Sequence, residues 1–259
     1  MKIISWNVNS IRARVTNIID YIKDSKPDLL MFQEIKTEEK TYPFNEFKKY
    51  GYESYVFGQK AYNGVAILSK YPVSDITYNL PNFSQDKQSR YIEGFVNLDQ
   101  KGIRIASIYA PNGNPINSEK YNYKIEWLKK FCNHAEKLLD FEEYTFLGGD
   151  FNICPKSFDA ADENLLVNDA IFTTDVKSIY SNIINSGYYD TFRSINPDIP
   201  GFTYWDYGQS FKNNIGVRID HFLLSPYALD KVDKIYVDKE PRAWEKPSDH
   251  TPLVLEIEI

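Results

Sequence analysis

Apolar residues recur along this chain in short runs, many of them alternating with polar ones, from one end to the other. KIISWNVN, DLLMFQE, YESYVFG, NGVAILSK, YIEGFVNL, IRIASIYA, YTFLGGD, HFLLS, KIYV and PLVLEIEI are rich in Ile, Val, Phe and Tyr. Pro, Gly, Asn and Asp bound them. The pattern predicts about ten strands, because β-branched and aromatic side chains fit a pleated, half-buried surface. Helical spacing intervenes in three places. Ile18, Ile19 and Ile22 mark a helix that ends before Pro27. Tyr121, Ile125, Leu128, Phe131, Cys132, Ala135, Leu138 and Leu139 mark a longer one. Val176, Ile179, Tyr180, Ile183 and Ile184 mark a third, with Gly187 suited to its C-terminal end. No Gly/Ser-rich or Pro-rich linker divides the chain, and no fixed-period repeat appears. The expected fold class is α/β, with two packed sheets flanked by helices in one domain spanning residues 1–259.

Several strands stop or start on a side chain that can bind a metal or move a proton. IISWN ends on Asn7, MFQE on Glu34, SIYA near Tyr109, and FLGGD on Asp150 with Asn152 two residues later. Asp220 opens HFLLS, and Asp249-His250 opens PLVLEI. Each has a plain structural explanation: a capped turn, a first exposed residue, an Asx turn, or half of an ion pair. A single rim, shared by the strands of a two-sheet sandwich, explains all of them together.

Composition narrows the chemistry. With 42% hydrophobic and 25% charged residues in 259, the chain reads as a soluble globular protein with a large core. Its two cysteines, Cys132 and Cys154, form no CxxC or Cys/His cluster, which weighs against a disulfide scaffold or structural zinc. The first apolar stretch is too short for a signal peptide, and no run reaches membrane-spanning length. A reducing cytoplasm is therefore expected, with no membrane partner. A net charge of -6 weighs against nonspecific nucleic-acid binding. A bound cation reverses that sign locally, however. Oxygen ligands with few histidines suit Mg²⁺ or Mn²⁺, and such ions serve phosphoryl chemistry. GxxxxGK[ST], GxGxxG and GxSxG are all missing, which favours hydrolysis over nucleotide-driven transfer.

SWNVNSIRAR, LLMFQEIK, NGVAILSK, IYAPNG, LGGDFN, GVRIDHFLLSP and PSDHTPLVLEI, in this order, resemble the exonuclease III family of DNA-repair endonucleases. That family belongs to the wider endonuclease/exonuclease/phosphatase superfamily with DNase I-like folds. The likeness runs from residue 2 to 257. It implies a four-layer α/β sandwich with two mixed β-sheets. It also implies Mg²⁺-dependent cleavage of the phosphodiester 5′ to abasic sites in double-stranded DNA. Action on 3′-blocked ends (exonuclease, phosphatase, phosphodiesterase) comes with it.

Carried over residue by residue, the resemblance makes Glu34 the principal ligand of Mg²⁺, assisted by Asn7. Asp150 would handle the proton of the attacking water or of the leaving group, and Asn152 would orient the water. His250 would contact the scissile phosphate, held by Asp249, with Tyr109 and Asp220 in the same polar network. A second ion would lie near Asp150, Asn152 and Asp249, so one or two ions are expected. For DNA contact it points to Arg90, Asn112 and Lys120. Tyr204, Trp205 and Tyr207 stand in an aromatic loop without core periodicity, where they could meet a flipped sugar or a gap in the base stack; for Trp205, packing beneath the loop is the alternative. Arg12, Arg14, Lys36 and Lys124 add positive charge near the predicted rim, and Val217 bears on damage preference. The enzyme is expected to act as a monomer. A phosphatase of lipid or inositol phosphates and a catalytically inert DNA-binding relative are the alternatives. SWNVNSIRAR and the tyrosine of SIYA weigh against the first, and the filled catalytic positions against the second.

Overall fold

The computed structural model describes residues 1–99 and 101–259. In chain order the elements begin with β1 (Lys2–Asn7), α1 (Val15–Ser25), β2 (Leu29–Gln33), α2 (Phe44–Lys48), β3 (Glu53–Phe57) and β4 (Val65–Ser69). They continue with β5 (Val73–Tyr78), β6 (Tyr91–Leu98), β7 (Lys101–Tyr109), α3 (Glu119–Leu139) and β8 (Tyr144–Asp150). The last are α4 (Thr174–Asn185), β9 (Tyr189–Asp190), α5 (Thr191–Ile195), β10 (Asp220–Leu224), α6 (Pro226–Leu229), β11 (Val232–Val237) and β12 (Leu253–Ile257).

Two six-stranded sheets result, in the orders β11-β12-β1-β2-β4-β3 and β5-β6-β7-β8-β10-β9. Each holds one parallel pair at its centre, β1 with β2 and β7 with β8, among antiparallel neighbours. Parallel strands need a crossover. Here α1 supplies it in the first sheet and α3 in the second. The carboxyl ends of two β-α-β units therefore point to one rim, the place where open α/β sheets bind ligands.

Period-two alternation sorts the side chains into layers. Ile3, Leu29, Met31 and Ile67 of the first sheet meet Ile103, Ile105, Phe146 and Phe222 of the second. Their neighbours Ile4, Trp6 and Phe32 point the other way, onto Ile18, Tyr21 and Ile22 of α1. Ile108 and Leu147 pack under Trp127, Leu128 and Phe131 of α3 and under Val176 and Ile183 of α4. Each such apolar side chain contributes roughly 1.5–3 kcal/mol on burial. The result is the expected four-layer α/β sandwich.

All three expected helices form. The Ser118 and Thr173 side chains cap the starts of α3 and α4 by accepting the Tyr121 and Val176 amides. Gly187 follows α4 at φ 127°, a backbone setting that favours glycine. Two strands exceed the expected ten. β5 is an edge strand with an irregular register and Asp75 at positive φ, so it lacks an apolar run. β9 has two residues, too few to show alternation. No helix among the described residues is long and apolar enough to cross a membrane.

Candidate active site

Every strand-mouth residue identified in the sequence reaches one rim. β1 ends on Asn7, Glu34 follows β2, and β7 and β8 end side by side with Tyr109 paired to Asp150. β10 runs antiparallel to β8 and opens with Asp220 opposite Asp150. The loop before β12 is tied to β1 at two points. Trp6 Nε1 donates to the His250 carbonyl at 3.3 Å, and Ser248 Oγ donates to the Asn7 carbonyl at 2.7 Å.

Asn7 is the hub. Its buried Nδ2 donates to Glu34 Oε1 at 2.8 Å and to Asp150 Oδ2 at 2.9 Å, and lies 3.4 Å from His250 Nε2. Its Oδ1 accepts the Asn9 amide at 3.0 Å. Asp150 Oδ1 accepts the Asn152 amide at 2.9 Å, and Asn152 Nδ2 donates to the Ala110 carbonyl at 2.9 Å. Glu34 Oε2 takes the Lys36 ammonium at 2.7 Å. Several of these residues hold left-handed backbone, with φ of 42° at Asn9 and 50° at Glu34, Lys36 and Asn152. Such conformations cost energy and concentrate at functional sites.

The electrostatics push the acids and the imidazole apart in role. Burial raises the Asp150 carboxyl, the His250 charge pulls it down, and Asp220 and Glu34 push it up again, leaving it well above the usual range. Burial likewise raises Glu34, but Lys36 and the Asn7 amide outweigh it and hold it ionised below that range. Burial alone would discharge His250. Asp220 and then Asp150 overcome that and raise its pKa, so the imidazole is a cation. Glu34, Asp150 and His250 each place one donor atom within 4.8 Å of the others'. Both ring nitrogens of His250 face carboxylates, however, at 2.8 Å to Asp220 and 3.6 Å to Asp150. The imidazolium is thus a neighbour of a cation site and no ligand in it. What remains is a carboxylate oxygen set, a donor chemistry that fits a hard divalent ion.

Some expectations need correction. The partner of His250 is Asp220, whose Oδ2 lies 2.8 Å from Nδ1, and not Asp249. Asp249 Oδ1 accepts instead from Asn9 Nδ2 at 3.0 Å. Trp205 has no exposed surface and cannot touch DNA as the chain is folded. It packs against Phe202 and Phe211 beneath the aromatic loop. Tyr204 does face the site, edge-on to the His250 ring at 5.0 Å. Asn112 and Lys120 are exposed on the rim side of the β7-α3 connection and on the first turn of α3. Arg90 is buried; it donates to Gln88 and to the Tyr109 carbonyl, and its guanidinium lies 4.8 Å over the Tyr109 ring.

Lys124 is the larger surprise. It is wholly buried and has no carboxylate on its ammonium, which donates to the carbonyls of Asn112 at 3.0 Å and Asn152 at 2.6 Å. Desolvation, only partly offset by Asp150, lowers its pKa to about 7. Asn9 was also missed. Asn9 Nδ2 donates to Tyr207 Oη at 2.9 Å and so ties the aromatic loop to the rim. The two remaining histidines have structural partners. His134 meets Glu93 at 2.8 Å, and His221 meets the Ile153 carbonyl at 2.8 Å.

This arrangement has close counterparts. Over 262 residues the chain is 31% identical to exodeoxyribonuclease III of Haemophilus influenzae, with 98% of each chain covered. The structure of an AP endonuclease from Archaeoglobus fulgidus superposes with a TM-score of 0.95 at 34% identity, over the whole of both chains. The 3′ phosphatase NExo from Neisseria, bound to a product DNA hairpin, gives 0.96 at 32% identity, also over both whole chains. The profile of the Endonuclease/Exonuclease/phosphatase family matches residues 4–250, from Ile4 in β1 to His250 itself. With its two sheets, its rim and its full length thus accounted for, the chain belongs to the endonuclease/exonuclease/phosphatase family, in the DNase I-like fold.

Proposed function

We propose that residues 1–259 form one catalytic unit, a DNA-repair nuclease that hydrolyses the phosphodiester 5′ to abasic sites in duplex DNA. Trimming of 3′-blocked ends belongs to the same site. The observation that carries this reading is the convergence on Asn7 of two carboxylates and a cationic imidazole. Mg²⁺ or Mn²⁺ would be held by Glu34 and Asp150, with Asn152 beside them. When bound, it supplies Lewis-acid charge against the phosphate oxygens.

The side chains do the rest. His250 carries a positive charge toward a phosphate oxygen, and Asp220 keeps that charge in place. Asp150, fixed by the Asn7 and Asn152 amides beside His250, handles the proton of the attacking water. Asn152 orients that water, and Tyr109, braced by Arg90, faces the phosphate. Asn112, Lys120 and Tyr204 bind DNA on either side. Monomeric action in a reducing compartment suits two buried free cysteines, Cys132 and Cys154.

The test is incision of a duplex carrying one abasic analogue, beside an undamaged 3′-recessed duplex. Wild type is expected to cut 5′ to the analogue with Mg²⁺ and to stop with EDTA. Glu34→Gln should lose at least a hundredfold, on the order expected for removing a metal-held charge from a transition state. Equal cutting with and without EDTA contradicts the reading.

A further inference from the structure

Glu34 has both carboxylate oxygens engaged, Oε1 by Asn7 and Oε2 by Lys36. The Lys36 ammonium is held from the other side by Asn9 Oδ1 at 2.5 Å. Asn9 is fixed in turn, since its Nδ2 is spent on Asp249 and Tyr207. The main chain leaves little slack either. The Lys36 amide donates to the Asn63 carbonyl at 2.9 Å, and its φ of 50° aims the side chain back across Glu34. A divalent ion that takes Glu34 as ligand therefore binds Oε1 beside the Asn7 amide or displaces Lys36 from Oε2, and either way lands on a carboxylate that already holds a fixed positive charge.

We propose that Lys36 sets the affinity of the cation site, competing with the divalent ion for the Glu34 carboxylate and so keeping that ion weakly held and exchangeable. The inference rests on the proposed function, in which Glu34 holds the metal. It runs against the expectation for a merely structural ion pair, whose loss would loosen Glu34 and weaken binding. A unit charge beside a divalent ion at a half-buried rim opposes binding by roughly tenfold or more.

The measurement is Mn²⁺ binding to the full chain without DNA, followed by the paramagnetic resonance signal of free Mn²⁺. Lys36→Gln, which drops the charge but keeps a polar side chain, is expected to bind Mn²⁺ about tenfold tighter than wild type. Lys36→Met should do the same, and Lys36→Arg should stay near wild type. The Lys36 side chain is 30% exposed, so these changes open no core cavity, and urea unfolding checks the fold of each variant. Unchanged or weaker binding by Lys36→Gln and Lys36→Met overturns the proposal, as does tightening in Lys36→Arg. Glu34→Gln separates the two readings. It should abolish the site, and if it binds Mn²⁺ like wild type, the ion is not at Glu34 and both readings fall.

Discussion

Asp220→Asn is expected to lower kcat on an abasic duplex by about a thousandfold or more with little change in KM, since turning the buried acid behind a catalytic histidine into an amide costs on the order of ten-thousandfold. Asp249→Asn is expected to cost no more than about tenfold. The difference follows from geometry. Asp220 Oδ2 meets His250 Nδ1 at 2.8 Å in a site where both side chains are almost wholly buried, so the carboxylate fixes the ring and sustains its charge. An amide offers no charge there, and the imidazole would fall back toward neutrality under the same desolvation. Asp249, by contrast, spends its Oδ1 on Asn9 at a half-buried position. Its loss slackens the rim and leaves the imidazolium intact. Single-turnover rates of the two variants decide the matter, and equal losses would contradict the assignment.

Lys124→Met is expected to lose about a hundredfold in kcat while unfolding at the same or a higher urea concentration at pH 7. Loss of stability and loss of activity usually travel together, so the split is diagnostic. The ammonium holds the Asn112 and Asn152 carbonyls, and with them the amide that donates to Asp150 and the exposed side chain of Asn112. Misplacing such groups by an ångström costs on the order of a hundredfold. Burying the charge is nevertheless unfavourable, and a Met stem of similar length removes that penalty against the loss of two hydrogen bonds. The pH dependence has a definite sign. The folded pKa, about 7, lies below the ordinary 10.5, so the unfolded chain binds more protons between those values. This contribution to wild-type stability rises with pH across that window and is lost as pH falls through about 7. From pH 7 to pH 9, urea unfolding should show wild type gaining roughly 2–3 kcal/mol relative to Lys124→Met, because the opposite contribution of His250 is common to both proteins.

Much of this was legible in the sequence, and what was not has physical reasons. Ile3/Ile4 and Leu29/Leu30 alternate between two buried faces, so runs such as KIISWN announced strands without telling which sheet each joins. The strand-mouth acids converged because each closes or opens a strand at the same end of its sheet. The mistaken partner of His250 came from adjacency. Asp249 sits at a bend with its carboxylate turned to Asn9, and the partner came from β10, 30 residues earlier. Lys124 did leave a signal that went unread. It shares the i, i+3, i+4, i+7 stripe of Trp127, Leu128 and Phe131, all buried on α3, and a lysine on that stripe is either buried or the helix is misread. Trp205 left none. Its burial depends on Arg242, which donates to the Trp205 carbonyl and lies under Tyr207 and Phe211 from a loop far along the chain.

All of these roles presuppose a site that delivers water to a phosphodiester. The sharpest check is incision of an abasic-analogue duplex in ¹⁸O-labelled water, read by mass spectrometry of both new ends. Hydrolysis places one labelled oxygen on the 5′-phosphate of the downstream fragment and leaves an unlabelled 3′-hydroxyl upstream. Strand cleavage with no label on that phosphate would mean that a different reaction breaks the chain, and that Asp150, Asn152 and His250 do not act as proposed.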